Sequence, residues 1–233
     1  MGLSRLNLPL IEASLRAVQQ DFHQINARLT TPRDPIGDDV LANLVAGYVY
    51  VDRLLTDDID IFAMGHLKHL LEMNALVLCG SDGREKYTSH LKATEEKFYE
   101  EPGGGVRDLV EWMAGHSLHS SWRRAAGAYA RILSEPQLFI EGNHRTGALV
   151  MSYILVREGQ PPFVLSAENA ASYFDSSSII RNLQKGTLDM VVSLPGIHKD
   201  FAEFLEGQAN ASYLFGGSSC VHVDRPREGF NGG

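Results

Sequence analysis

Residues 137–148 read Gln-Leu-Phe-Ile-Glu-Gly-Asn-His-Arg-Thr-Gly-Ala and form the densest group of chemically active side chains in the chain. An acid, a glycine, an amide, an imidazole and a guanidinium fall between Glu141 and Arg145. The stretch lies where one helical pattern ends and another begins. A turn that opens a helix leaves backbone N–H groups unpaired beside the positive end of the helix dipole, which suits an anion. The residue types therefore indicate a phosphate cradle with a carboxylate for a metal ion.

Helical periodicity surrounds this turn. The apolar spacing predicts a helix over 122–133 that stops before Pro136, and another over 145–158 that stops at Gly159. Other helices are predicted over 8–29, from Asp38 or Asp39 to residue 55, over 59–75, over 106–115, after a cap at Ser166, and over 200–205. The chain is therefore expected to be mainly α-helical.

Residues 84–102 break the helical pattern. The stretches 86–94 and 97–99 alternate in the manner of short strands, and Glu95 and Glu96 fall between them as a turn. The pattern predicts a β-hairpin.

Composition limits the classes of function. The 233 residues carry a formal net charge of −8 without a basic run, which argues against a nucleic-acid partner. No apolar run of 18 residues occurs, so no membrane association is expected. Two cysteines, Cys79 and Cys220, give neither metal spacing nor a disulfide framework, which favours a cytoplasmic location. We expect a helical segment over 1–30, one main domain over 31–210 and an irregular Gly- and Ser-rich tail over 211–233.

The turn resembles the Fic/Doc (Fido) motif, whose fullest form is His-x-Phe-x-Asp/Glu-Gly-Asn-Gly-Arg-x-x-Arg. Three positions depart from it: Gln137 stands in place of the catalytic His, His144 in place of the second Gly, and Ala148 in place of the final Arg. Five residues match without a gap, namely Phe139, Glu141, Gly142, Asn143 and Arg145.

The resemblance extends over roughly residues 38–208, because the segments on both sides of the motif are also similar to the family's. It implies a Fido-type helical bundle with a short β-hairpin flap over 84–102. In the family, the exposed edge of this flap pairs with an extended segment of a protein target. The resemblance thus implies a protein partner as well as a nucleotide.

The family's chemistry is protein AMPylation, in which a His deprotonates a target hydroxyl that then attacks a phosphate of a bound nucleotide. By position, Glu141 would hold Mg²⁺, and Gly142, Asn143, His144 and Arg145 would bind the phosphates of ATP or another nucleotide. Hard oxygen ligands suit Mg²⁺, and a planar guanidinium suits phosphate.

The catalytic position is the difficulty for this chemistry. Gln137 occupies it, and a neutral amide cannot accept the proton that a general base removes, a step worth about 10²–10⁴-fold in rate. His144 is an alternative acid or base able to carry charge near neutral pH, or it merely fits the turn. Three more histidines could supply a base from elsewhere: His90, His116 and His119.

Three functional interpretations follow. The first is a nucleotidyltransferase that modifies a protein hydroxyl, and the second is an impaired pseudoenzyme that binds a nucleotide or a partner as a regulator. The third is a helical interaction module in which the turn only caps a helix. The matches at Glu141, Asn143 and Arg145 argue against the third, and the missing base argues against the first. Glu206-Gly207 resembles the end of the family's inhibitory helix motif but lacks its hydroxyl residue.

Overall fold

The computed structural model of the protein describes residues 6–102 and 105–215, with the backbone alone for 188–194. These residues form helices and no β-strand, and their only β-type pairings are isolated bridges from Leu6 to Leu214 and from Glu135 to Gln184. The mainly helical fold class is confirmed. In chain order the helices are α1 (Leu8–Gln20), α2 (Phe22–Asn26), α3 (Asp38–Thr56), α4 (Lys68–Cys79), α5 (Thr88–Glu100), α6 (Val106–Gly115), α7 (Ser121–Leu133), α8 (Asn143–Arg157), α9 (Ala170–Arg181) and α10 (Leu188–Gly207), with 3₁₀ turns at Arg84–Tyr87 and Ala211–Tyr213.

Helix α8 is the centre of the fold. Every residue from Thr146 to Val156 is buried, and a helix that is enclosed on all sides belongs in the interior of a bundle. Helices α3, α4 and α7 pack against it, while α6 and α10 pack on α7 and α1 packs on α3. The N-terminal end of α8, which begins at Asn143, is therefore held by neighbouring helices.

Two glycines allow α7 to lie close to its neighbours. A Cβ added at Gly127 would lie 1.8 Å from the Trp112 ring of α6, and one added at Gly147 would lie 2.6 Å from the Tyr129 ring of α7. Aromatic rings thus pack directly against helix backbone at both contacts, and any side chain there would displace them.

Most predicted helices are present, some with other boundaries. Helix α6 has the predicted bounds, and α7 and α8 begin within two residues of theirs. Helix α4 begins at Lys68 rather than at Ile59. The backbone before it forms turns in which the Tyr153 hydroxyl donates to Ile59 O at 2.5 Å and accepts from Ile61 N at 3.4 Å. These bonds to α8 replace the intrahelical ones that the local pattern predicts.

The predicted β-hairpin over 84–102 is wrong, because this segment is the 3₁₀ turn followed by α5. The buried side chains, Thr94 and Phe98, lie four residues apart, and Glu96 between them is exposed. A helix places residues 94 and 98 on one face without 96, whereas a strand would put all three on the same face. Phe98 stacks on Phe139 of the motif turn with ring centroids 5.6 Å apart. The described residues therefore offer no strand edge here to a protein target.

Other predictions concern the ends of the chain. Residue 215 is the last that the structure describes, so most of the predicted tail over 211–233 lies outside the described residues. The division at residues 30 and 210 stays a prediction, although Asn7 N donates to Tyr213 O at 2.7 Å and joins the two ends of the described chain. Within the described ranges, no helix has the length and apolar character that crossing a membrane requires.

Candidate functional site

The side chain of Asn143 holds the turn between α7 and α8 together. It is only 4% exposed, and its Oδ1 accepts a hydrogen bond from Phe139 N at 2.9 Å. Its Nδ2 donates to Phe139 O at 2.9 Å and to Gln137 Oε1 at 3.1 Å. Both amide hydrogens of Asn143 therefore have acceptors within the turn, and the side chain stabilises the loop. The backbone N–H is the part of Asn143 that remains for a ligand.

Gly142 is required by its conformation and its neighbours. Its φ is +78°, in the left-handed region that glycine adopts at little cost. An added Cβ would lie 3.0 Å from Asn74 Nδ2 and 3.3 Å from a methyl group of Val77. Asn74 of α4 also donates to Glu141 O at 2.8 Å and to Thr146 Oγ1 at 3.0 Å. Helix α4 thus fixes both the turn and the start of α8.

The start of α8 is suited to an anion. Its first intrahelical hydrogen bond runs from Thr146 N to Gly142 O at 2.9 Å. The N–H groups of Asn143, His144 and Arg145 precede that bond and have no intrahelical acceptor. They lie at the positive end of a 15-residue helix, where an anion is stabilised by the helix dipole.

Arg145 and Glu141 provide charge next to these N–H groups. Arg145 Nη1 donates to Val77 O, and its Nη2 lies 4.0 Å from Glu141 Oε1. Burial lowers the pKa of Arg145 and Glu141 raises it, and an arginine with such opposing effects stays charged at neutral pH. The Val77 carbonyl anchors one edge of the guanidinium, which leaves further donors for a ligand. The Glu141 side chain is 62% exposed.

His144 is held in a ring of hydrogen bonds. Arg33 Nη1 lies 3.5 Å from His144 Nε2, and His144 Nδ1 lies 3.2 Å from the Tyr129 hydroxyl. Because arginine can only donate, Nε2 is the acceptor and Nδ1 carries the proton. The Tyr129 hydroxyl then donates to the Tyr173 hydroxyl at 2.9 Å, and the latter donates to His144 O at 3.2 Å.

The expectation that His144 carries charge near neutral pH needs correction. Burial lowers its pKa to about 3, with added repulsion from Arg33, Arg181 and Arg145. The imidazole is therefore neutral at neutral pH, and the lone pair on Nε2 already faces the Arg33 guanidinium. Such a ring is a poor proton acceptor for a substrate.

A cavity of about 420 Å³ lies beside the start of α8 and is lined by Arg33, His144, Arg145 and Ala148. Aromatic side chains form much of its wall: Phe22, Tyr48, Phe163, Tyr173 and Phe174. Ala148 stands where the Fido motif has its final Arg. The cavity nevertheless has two guanidinium groups, those of Arg33 and Arg145. Neither Gln137 nor Glu141 lines it, and Arg145 joins the two parts of the site because it lines the cavity and lies near Glu141.

Arg33 is the residue that sequence reasoning missed. Its Nη2 donates to Ser178 Oγ at 2.8 Å, and its guanidinium lies over the Phe174 ring, 5.5 Å from the centroid. It is an isolated arginine in a loop, 111 residues before His144, and no local pattern distinguishes it from other surface arginines.

The alternative bases are not brought to this cavity. His116 and His119 line a different cavity, near the start of α7, and His90 lies on α5. None of the three lines the cavity beside His144. Glu206 is exposed near the end of α10, and the described residues show no hydrogen bond or ion pair between it and the motif turn.

Comparison with known proteins points to one group. No protein-family model matches the chain. Two relatives, protein adenylyltransferases fic-1 of Caenorhabditis elegans and of Caenorhabditis briggsae, are 34% and 35% identical to it over 74 residues. The matched part is 30% of this chain and 14% of each relative, so the chain matches only a small part of their length.

Solved structures of Fic-1 from C. elegans were also found. One of an engineered variant aligns at a TM-score of 0.43, and one of the same segment without that substitution aligns at 0.42, both at 18% identity. The alignments cover 86% and 84% of this chain, and 60% and 59% of the solved chains.

Proposed function

Since the chain is a Fic/Doc (Fido) family protein, we propose that it binds a nucleotide, ATP in the first instance, at the turn from Glu141 to Arg145. The chemistry for which such a site is built is transfer of a nucleotidyl or phosphoryl group to a protein hydroxyl. The observation that carries the proposal is the start of α8, where three backbone N–H groups and the Arg145 guanidinium lie within one turn.

Phosphate recognition follows from these groups. Backbone N–H groups at a helix start bind phosphate oxygens without any demand on side chains, and a guanidinium adds charge-assisted hydrogen bonds. The adjoining cavity, with aromatic walls and a second guanidinium from Arg33, suits the less polar part of a nucleotide.

Magnesium fits the donors that are present. The described residues contain no group of three or more His, Cys, Asp or Glu that could hold a metal ion by themselves. A metal at Glu141 would therefore need oxygen ligands from phosphate and water, which is how Mg²⁺ is usually bound. When bound, it would offset phosphate charge beside the start of α8.

The transfer step is where this chain departs from an efficient enzyme. Gln137 cannot act as a base, and its Oε1 already accepts from Asn143 Nδ2. Its NH₂ group can still donate to a water or to a substrate oxygen. The hydrogen bond between Gln137 and Asn143 favours the alternative function, in which an impaired Fido protein binds a nucleotide or a partner and acts as a regulator.

A protein target remains part of the proposal, but not through strand addition. The segment that would have offered a strand edge is α5, so a target would have to meet helical surface or loops near the turn.

Calorimetric titration with ATP, with and without Mg²⁺, tests nucleotide binding. We expect binding that requires Mg²⁺ and is weakened about tenfold or more in Arg145→Ala, since hydrogen bonds to charged groups contribute roughly 1.5–3 kcal/mol. Arg16→Ala is the matched control, because Arg16 is an exposed arginine on α1. Thermal unfolding of both variants checks that they fold. Absence of binding by ATP, CTP, GTP and UTP to folded wild-type protein would refute the proposal.

Labelled ATP then separates the two functions. If Gln137→His modifies itself or an added protein while the wild type does not, the site is a disabled transferase. If the wild type labels itself to the same extent as Gln137→His, a base is not needed at position 137, and the protein is not an impaired transferase.

A further inference from the structure

A second cavity lies away from the motif turn, between the end of α6, one side of α7 and the middle of α10. Its volume is about 360 Å³. Six basic side chains line it, and we call it the histidine cavity: His116, His119, Arg123, Arg131, His198 and Lys199. Trp112 and Pro195 provide apolar wall.

The rings converge on one another. Trp112 stacks on His116 with centroids 4.4 Å apart, and His116 meets His119 edge-on at 4.8 Å. His198 reaches Trp112 from α10 at 6.0 Å. His116 Nδ1 lies 2.8 Å from Trp112 O, which can only accept, so the proton is on Nδ1 and Nε2 remains for another partner.

Two buried nitrogen atoms here lack hydrogen-bond partners. In the described part of the chain, neither His198 Nε2 nor Arg131 Nε has one. Buried polar groups in folded proteins nearly always have a partner, so each such atom calls for an explanation. An oxygen acceptor on a ligand would satisfy Arg131 Nε, and it would satisfy His198 Nε2 in the tautomer that carries its proton there.

Positive charge in the cavity is only partly offset. Arg131 Nη1 lies 3.5 Å from Asp108 Oδ1, and Lys199 Nζ lies 3.7 Å from Glu203 Oε1. Arg123 has no ion pair among the described residues. The positive end of the α7 dipole adds to the excess, since Arg123 lies in the first turn of that helix.

The pKa values of two histidines in the cavity are lowered, first by burial and then by this positive charge. Burial lowers the pKa of His198 to about 4, with repulsion from Arg131, His116 and His119. Burial also lowers the pKa of His119, with repulsion from His116 and Arg123. A bound anion would relieve this repulsion and raise both pKa values.

We propose that the histidine cavity binds a small organic phosphate. Its volume is at the lower end of the range for small-molecule sites, about 300–1,000 Å³, and is larger than inorganic phosphate needs. Arg123, Lys199 and His198 would hold the phosphate oxygens, and Trp112 and Pro195 would contact the organic part. The site is independent of the nucleotide proposed at the motif turn.

The test follows the histidine ring signals by NMR in protein labelled with ¹³C-histidine. Phenyl phosphate is the probe, because it carries a phosphate on a planar ring without being a nucleotide. We expect saturable shifts of the His116, His119 and His198 signals, and about tenfold weaker binding in the double variant Arg123→Gln/Lys199→Gln, at a few-fold per exposed charge. The matched control is Arg16→Gln/Lys92→Gln, since Lys92 pairs with Glu96 as Lys199 pairs with Glu203.

Each outcome decides the proposal. Unchanged affinity in Arg145→Ala together with loss in the double variant supports a separate site. No saturable shift at high probe concentration, or equal binding by the double variant and its control, overturns it. Inorganic phosphate binding as tightly as phenyl phosphate overturns the organic part, and shifts confined to His144 place the probe at the motif turn instead.

Discussion

Replacing Asn143 by alanine should loosen the motif turn and weaken the whole fold. The substitution removes three hydrogen bonds and leaves Phe139 N–H and C=O without partners at a residue that has no exposed surface. At about 1 kcal/mol net for each bond, the loss in unfolding free energy is about 3 kcal/mol. For a domain of this size that corresponds to a fall in Tm of about 6–12 °C.

Asn169 provides a control of the same kind. Its side chain accepts from Ser166 N at 2.9 Å and donates to Val164 O at 3.0 Å, so it fixes the turn before α9 as Asn143 fixes the turn before α8. Urea denaturation should show a comparable loss of stability for Asn143→Ala and Asn169→Ala. Calorimetry with ATP and Mg²⁺ should show weaker binding only for Asn143→Ala.

Two results would contradict this reasoning. A loss below about 1 kcal/mol for Asn143→Ala would mean that the amide bonds do not hold the turn. Equal weakening of nucleotide binding in both variants would mean that general destabilisation, and not the geometry of the turn, governs affinity.

Three further predictions concern backbone, packing and pH. Gly142→Ala and Gly159→Ala both place alanine at positive φ, but only Gly142 has neighbours within 4 Å; we expect about 1 kcal/mol of strain in each and about 1 kcal/mol more at Gly142, so equal losses on urea denaturation would contradict the contact argument. Gly127→Ala should cost about 3 kcal/mol because of overpacking, whereas Gly115→Ala, with open space, should not destabilise. The pKa of His144 is lower in the folded chain than in the unfolded one, so the unfolded chain binds more protons as pH falls below about 6.5. The free energy of unfolding should therefore drop by about 2–3 kcal/mol between neutral pH and pH 4.5. His144→Gln should remove that part of the pH dependence, and an unchanged pH dependence in this variant would show that the ring is not held neutral.

The helices nearest the motif follow from local sequence, whereas α5 does not. Long apolar periodicity and Gly159 give the bounds of α8, because every turn of that helix faces other helices. In 84–102 the apolar residues are too few for period 2 and period 3.6 to be told apart. In the folded chain Phe98 stacks on Phe139, and this contact between residues far apart in the chain is not visible in the local pattern.

The lining of the cavity beside the start of α8 could not be predicted from the sequence, because it depends on contacts between distant parts of the chain. Arg33 reaches His144 only because α1 packs on α3, α2 packs on α9, and the loop between α2 and α3 meets α9 at Phe174 and Ser178. A contact across more than a hundred residues depends on the whole packing arrangement. The lowered pKa of His144 results first from burial and then from repulsion by Arg33 and other arginines, and the motif alone reveals neither.

A match to a motif argues for chemistry only where folding does not already explain the residue. The turn needs Gly142 for its positive φ and Asn143 for its hydrogen bonds, whether or not a nucleotide ever binds. Arg145 also has a structural contact, with Val77 O. Glu141 has none of comparable strength, because its side chain is largely exposed and its nearest cation, on Arg145, is 4.0 Å away.

Glu141→Gln is therefore the sharpest test of metal-dependent nucleotide binding. The substitution should change stability by no more than about 0.5 kcal/mol, as expected for an exposed side chain. It should nevertheless remove most of the Mg²⁺ dependence of ATP binding, since an amide oxygen is a weaker ligand for this ion than a carboxylate. Glu12→Gln, at an exposed acid that also pairs with an arginine four residues on, is the control. Full Mg²⁺ dependence in Glu141→Gln would leave Glu141 without the role that its position suggests.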